Sequence, residues 1–391
     1  MRFPQDIFTM IPASNDLWAC VVKSTEILRT KSIVGVPNVY TPLSVVIFNL
    51  LAGFNFDTVR LGSFIVTGVC AFIVICVFPQ SFGGCFIKSR LGLVLAALSF
   101  MGYGLRFELE RGQMNGLVLC LSLLAIILSR KGTWITALIA FMLITFTFQM
   151  KVWPLIFIAC LYQNTKTFLS NFLRFSLFGL INAALFFCLG IDFFKQYLAI
   201  LMQSAQSEVN IWVANMSVYA YKMQLVKYYQ VPNVLLYIGG LTITLIFLGT
   251  LLRTMFLKSI DHGALQIYLC TLGGLLFPNI SYDYKLSIFY IVTIFFYTCY
   301  RPIYANQSLL RNINIKGGIS ISFKRSVLAE RICLLLPIVL YPMTLFSYFY
   351  KSDFGFLLTS NTTPLIIILI ALVTLVWIQP TKSLGSLRDV S

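Results

Sequence analysis

Long apolar blocks alternate with short polar breaks along the whole chain. The blocks fall at 41–55, 62–79, 114–129, 133–150, 152–162, 171–190, 234–255, 263–280, 286–300, 332–350 and 362–378. Most are about 15–22 residues, the length a helix needs to cross the hydrocarbon core of a bilayer. The pattern predicts about eleven helical spans. Block 91–105 is interrupted by Gly102 and Gly104, and predicts a re-entrant or half-length segment. A membrane β-barrel would show short alternating strands instead, and is excluded.

Two of the breaks carry a different period. After Asp16, apolar residues recur at Leu17, Trp18, Val21, Val22 and Leu28, with Lys23, Glu26 and Arg29 between them. That spacing predicts an amphipathic helix on the membrane surface. Residues 191–208 repeat the theme. The expected fold is therefore all-α: a polytopic membrane bundle with amphipathic surface helices in its outer loops. Residues 1–391 form one membrane domain, with residues 301–391 expected to supply its C-terminal spans.

Composition agrees with the pattern. Of 391 residues, 59% are hydrophobic and only 11% charged, against about 25% charged in soluble domains. The net charge of +16 does not point to nucleic acid, because the Lys and Arg residues sit in the breaks between blocks rather than in one stripe. They act as topology signals and contacts to membrane lipids. No Cys-x-x-Cys pair occurs among the ten cysteines, and His262 is the one histidine. Neither a metal site nor a cofactor is expected.

Charge also predicts sidedness. Breaks 56–61, 130–132, 163–170, 253–262, 301–331 and 379–391 carry most of the Lys and Arg and are expected on the cytoplasmic side. Breaks 1–40, 80–113, 191–233, 281–285 and 351–361 then face outward. They hold nine of the thirteen acids: Asp6, Asp16, Glu26, Glu108, Glu110, Asp192, Glu208, Asp283 and Asp353. Carboxylates gathered at one face suggest chemistry at that face. This topology puts the N-terminus outside with no span or leader ahead of it. A first helix missing from this chain is the expected reason, a parity off by one the other.

Five short patterns occur in order. Asp16 heads the first surface helix, followed by Tyr40-Thr41-Pro42-Leu43; then come Gly112-Gln113-Met114-Asn115, Lys151-Val152-Trp153-Pro154, Asn215-Met216-Ser217 and Ser281-Tyr282-Asp283-Tyr284-Lys285. Together they resemble the GT-C membrane glycosyltransferases, and within them glycosyltransferase family 87, whose members use polyprenyl-phosphate-mannose. The resemblance covers roughly residues 15–300, within an expected catalytic part of residues 1–300. It departs from the family pattern at Thr41, where a proline is usual, and at Tyr284, where a histidine is usual.

The resemblance implies an inverting transfer of a sugar, mannose by default, from a polyprenyl-phosphate donor to a glycolipid or glycan acceptor on the non-cytoplasmic face, with the bacterial inner membrane as the expected location. It makes Asp16 the base, although an Asp ahead of a helix is also a good cap. Asp283 is a second catalytic candidate, because an ionisable residue in so short a break is functional by default. Lys151, Arg111 and Lys285 are candidates for the donor phosphate. Gln113, Asn115, Asn215 and Tyr40 are candidates for substrate binding, and Glu108 and Glu110 flank the Gly-Gln element. A transporter or flippase of lipid-linked sugars would instead show paired broken helices and mid-membrane charges. A glycan polymerase or ligase with a lipid-diphosphate donor shares the topology.

Overall fold

The computed structural model describes residues 15–33, 41–162, 168–206, 215–256, 262–278, 281, 285–313, 321–345 and 362–378. Fifteen α-helices account for most of them: α1 (Asn15–Thr30), α2 (Pro42–Leu50), α3 (Phe56–Phe72), α4 (Arg90–Met101), α5 (Tyr103–Arg111), α6 (Asn115–Arg130), α7 (Trp134–Met150), α8 (Phe168–Phe186), α9 (Ile191–Gln206), α10 (Val218–Tyr229), α11 (Asn233–Phe256), α12 (His262–Leu276), α13 (Leu286–Ile313), α14 (Ile321–Leu345) and α15 (Thr362–Ile378). Helix α3 runs on through a π-turn, Ile73–Val77, into a 3-10 turn, Phe78–Phe82. No β-sheet occurs among the described residues. The protein is an all-α polytopic membrane protein.

Three helical stretches are long and apolar enough to cross a membrane: Phe56–Phe82, Leu169–Phe186 and Asn233–Thr254. Fewer than a third of the residues in each window are buried, so their apolar surface faces outward. The centre is different. Every residue of 263–276 and of 285–299 is buried. Helices apolar all round belong in a core, and here Tyr268, Phe289, Phe295 and Phe296 fill it. Buried aromatic hydroxyls find partners: Tyr268 and Thr293 share a hydrogen bond of 2.9 Å, and Tyr290 donates to the Thr344 carbonyl at 2.9 Å.

The ends of the helices can be matched by contact. At one end Gly116 of α6 faces Thr67 of α3 so closely that a Cβ on it would meet the Thr67 methyl at 3.2 Å. At the other end the Arg130 guanidinium lies 4.4 Å from the Phe82 ring, and Gly84 rests on the backbone of Thr298 and Cys299. Helices α3 and α6 therefore run parallel. This corrects the sidedness expected from charge. Residues 80–89 lie at the Arg130 end, and 56–61 lie beyond Thr67 at the opposite end. The cause is α4, the segment expected to be re-entrant or half-length, which does end at Gly102 after 12 residues. It packs along α13 and carries the chain from the Arg130 end back to α5.

The segment 301–331, expected as a basic loop, is helical over most of its length, because α13 continues to Ile313 and α14 begins at Ile321. Helix α1 buries Leu17, Cys20, Val21, Ser24 and Ile27 against α2, α3 and α5, while Val22 is exposed. A small second core of Ile27, Ile33, Val45, Phe193 and Tyr197 joins α1, α2 and α9 over the same end as Asn115.

Candidate active site

Helix α7 ends at Lys151 for a local reason. Pro154 cannot continue the α-helical hydrogen bonding, and the residue before it is biased away from helix. Lys151 takes an extended conformation (φ −151°, ψ 137°), and a 3-10 helix, Trp153–Leu161, follows. The Gln149 carbonyl near the helix end accepts hydrogen bonds from the Thr41 and Ser44 hydroxyls. The Gln149 amide nitrogen donates to Asn182 of α8 at 3.0 Å. The backbone that launches Lys151 is thus clamped from two sides.

Opposite it is the turn between α5 and α6. Gly112 closes α5 at φ +62°, the left-handed region open to glycine. Met114 follows at φ +52°. Such a conformation costs a non-glycine residue roughly 1–3 kcal/mol, and strain of this kind gathers at functional sites. The two left-handed residues present Gln113 between them, and its Oε1 accepts a hydrogen bond of 2.8 Å from the Lys151 Nζ.

Glu108 lies beneath this turn, 1% exposed. Its Oε1 accepts from the Gly116 backbone N–H at 2.8 Å, and its Oε2 accepts from the Ser287 hydroxyl of α13. Burial pushes the Glu108 carboxyl up to about 7, against the bonds from the Gly116 and Asn115 N–H groups and the Lys151 charge, which pull it down. Lys285 stands at the head of α13, 8% exposed. Burial first, and the Lys151 charge second, hold its ammonium down at about 7. Two lysine side chains and one carboxyl group therefore share a largely buried region.

Asn115 opens α6 and is 0% exposed, yet neither side-chain amide atom has a hydrogen-bond partner among the described residues. The Trp153 Nε1 and the Ser281 Oγ are in the same condition. Unsatisfied buried polar groups cost about 1–3 kcal/mol each, which makes them candidates for a ligand's hydroxyls. Asn215 is used differently. Its Oδ1 accepts from the Ser281 N–H at 2.9 Å and the Ser217 N–H at 3.2 Å, and the Met216 N–H donates to the Ser281 carbonyl at 2.8 Å.

Residues 38–278, more than half of the chain, match the model of glycosyltransferase family 87. The chain belongs to glycosyltransferase family 87. It is accordingly a glycosyltransferase, with a sugar donor and an acceptor as substrates. No curated protein and no solved structure matches it. Gln113, Asn115, Lys151, Asn215 and Tyr40 fall within the family 87 match; Asp16 precedes it, and Asp283 and Lys285 follow it.

Of the residues expected from sequence in this family 87 chain, the structure brings Gln113 and Lys151 into contact and sets the Lys285 ammonium within range of the Lys151 charge. Arg111 ends α5, half-buried, where a cation complements the helix C-terminus. Asp16 is the second residue of α1, with its side chain outside the described residues; Tyr40, Asp283 and the Glu110 side chain also lie outside them. Sequence reasoning missed Ser287 and the clamp of Thr41, Ser44, Gln149 and Asn182. Isolated hydroxyls and amides in apolar helices carry no spacing signal that could have revealed them. Glu108 was visible only as a flanking acid.

Proposed function

We propose that the chain is an inverting glycosyltransferase that moves a sugar, mannose, from a polyprenyl-phosphate donor to a hydroxyl of a glycolipid or glycan at the non-cytoplasmic face of the membrane. The observation that carries this reading is the group of half-buried Lys151 with buried Lys285 and Gln113 at one end of the bundle. A lipid phosphate leaving from a sugar needs preorganised positive charge and donors in a region of low dielectric constant. Lysine ammonium groups supply the charge. The opposite end of the bundle holds Arg130 and Lys131, the side the positive-inside rule assigns to the cytoplasm.

In this reading the acceptor oxygen attacks the anomeric carbon as its proton passes to a carboxylate. The bond from that carbon to the phosphate oxygen breaks, and polyprenyl phosphate departs with the electron pair toward Lys151 and Lys285. Asp16 is the proposed base, supported by its place in the family pattern and by α1 packing against α5, the helix of Glu108. Asp283 is the second carboxylate candidate, one residue from Tyr284 and two from Lys285. Asn115, Trp153 and Ser281 offer polar groups for sugar hydroxyls.

Supplying purified protein with the same sugar on polyprenyl phosphate, on polyprenyl diphosphate and on a nucleotide tests the donor class. The proposal expects transfer from the monophosphate lipid with inversion at the anomeric carbon. Transfer from the diphosphate lipid alone would replace it with the polymerase or ligase reading.

A further inference from the structure

Glu108 is the buried carboxylate that the proposed chemistry leaves without a role. It touches three elements at once. From α6 it receives the Gly116 N–H at 2.8 Å and the Asn115 N–H. From α13 it receives the Ser287 hydroxyl. From the end of α7 it meets the charge of Lys151. The Cys70 thiol of α3 also faces it.

The need for it is local. Helix α6 begins without a side-chain cap, because its cap residue is Met114, in the left-handed conformation, with no oxygen to offer. Its first N–H groups must be satisfied from elsewhere. A carboxylate eight residues upstream does so by folding back across the turn. It also favours negative charge at the positive end of the helix. The same side chain, tied to Ser287, fixes the first turn of α13, where Lys285 stands.

We propose that Glu108 is a positioning residue for sugar transfer: it holds the Gly112–Asn115 turn so that Gln113 meets Lys151, and its carboxylate keeps Lys151 cationic. This rests on the reading of Lys151 as the phosphate-binding group. It predicts a coupling visible with no substrate present. A carboxylate beside an ammonium favours the charged form. Removing it raises the share of neutral amine and with it the rate of acylation.

The experiment measures acylation of Lys151 by acetic anhydride at pH 7.5, read by peptide mass spectrometry on the purified full chain in detergent. The exposed Lys195 is the internal reference. In Glu108→Gln the ratio of Lys151 to Lys195 acylation rises roughly tenfold, the change for one unit of pKa. In Glu108→Asp it rises less. Ser287→Ala, a milder variant that strips a hydrogen bond from the carboxylate, raises it in the same direction and keeps the test open should Glu108→Gln fail to fold. An unchanged ratio in folded Glu108→Gln, or in Ser287→Ala, overturns the proposal.

Transfer from polyprenyl-phosphate-mannose is then measured on the same proteins. Glu108→Gln lowers kcat/KM for the donor at least tenfold at pH 7.5, and Glu108→Asp recovers part of it. A wild-type chain whose Lys151 responds as predicted but that transfers nothing sinks the donor reading alone. A wild type that transfers, beside a Glu108→Gln variant of equal kcat/KM and unchanged pH profile, shows Glu108 to be a helix cap only.

Discussion

The Lys151 ammonium donates to the Gln113 side-chain oxygen across 2.8 Å, joining the end of α7 to the turn between α5 and α6. Hydrogen bonds with a charged partner contribute about 1.5–3 kcal/mol, and a cation facing a leaving phosphate contributes more in a dry site. Lys151→Ala is expected to lower kcat/KM for the lipid donor by about two orders of magnitude. Gln113→Ala should cost about tenfold. Because the two touch, the double variant should lose less than the product of the single losses. Full multiplicativity in steady-state kinetics would show that they act separately.

In the proposed reaction Lys285 is expected to confer sensitivity to alkali. Its ammonium is held near 7, so charge is lost as the pH rises through that value, and donor phosphate binds less well. The value of kcat/KM should fall above about pH 7. Bound phosphate favours the charged form, so the limb in kcat should lie at higher pH than the limb in kcat/KM. Lys285→Arg keeps its charge at every accessible pH and should abolish the alkaline limb. Coinciding limbs, or a limb that persists in the arginine variant, would assign the titration to another group. The fold responds in the opposite sense. A base whose folded value is depressed from 10.5 contributes stability above that value, and loses it as the pH falls through about 7.

Asn115 is expected to separate stability from activity. Both of its amide atoms are buried without a partner among the described residues. Replacing such a group by an apolar one of similar size is near neutral or stabilising. Asn115→Leu should therefore melt at the same temperature as the wild type or higher, while sugar transfer falls at least tenfold. A lower melting temperature with unchanged transfer would make Asn115 structural.

Asn215 is expected to do the reverse. Its Oδ1 holds two backbone N–H groups, those of Ser217 and Ser281, and leaving them buried and unmet costs about 1–3 kcal/mol apiece. Asn215→Ala should lower the melting temperature by several degrees. Asn215→Asp keeps the acceptor and should restore most of it. If alanine left the melting temperature unchanged, the bridge between 215 and 281 would carry no stability.

How far the sequence alone reached depends on the signal used. Apolar blocks located α6, α7, α11, α12 and α15 closely, because length and hydrophobicity decide a membrane helix. Charge counting failed at 56–61, where one Arg60 in a short break carried the assignment, whereas the glycines of 91–105 did mark a break: α4 ends at Met101, Gly102 is extended and α5 starts at Tyr103. At the site, Gln113 and Lys151 were legible because each sits in a short pattern at a helix end. The hold of Glu108 on Gly116 was not, because a carboxylate reaching back across a turn of two left-handed residues leaves no periodic trace. Nor does sequence spacing show that Ser287 stands beneath it.

The central claim is sugar transfer from a polyprenyl phosphate with Asp16 as base. Its most direct measurement is the transfer of radiolabelled mannose from polyprenyl-phosphate-mannose to membrane glycolipid extracts, with purified wild type beside Asp16→Asn. Loss of a general base lowers the rate by about 10²–10⁴-fold. Transfer by the wild type, with a drop of that size in a variant of unchanged melting temperature, is the predicted result. Equal transfer by both proteins would reduce Asp16 to a charge in the first turn of α1 and pass the role to Asp283. No transfer by either would contradict the account.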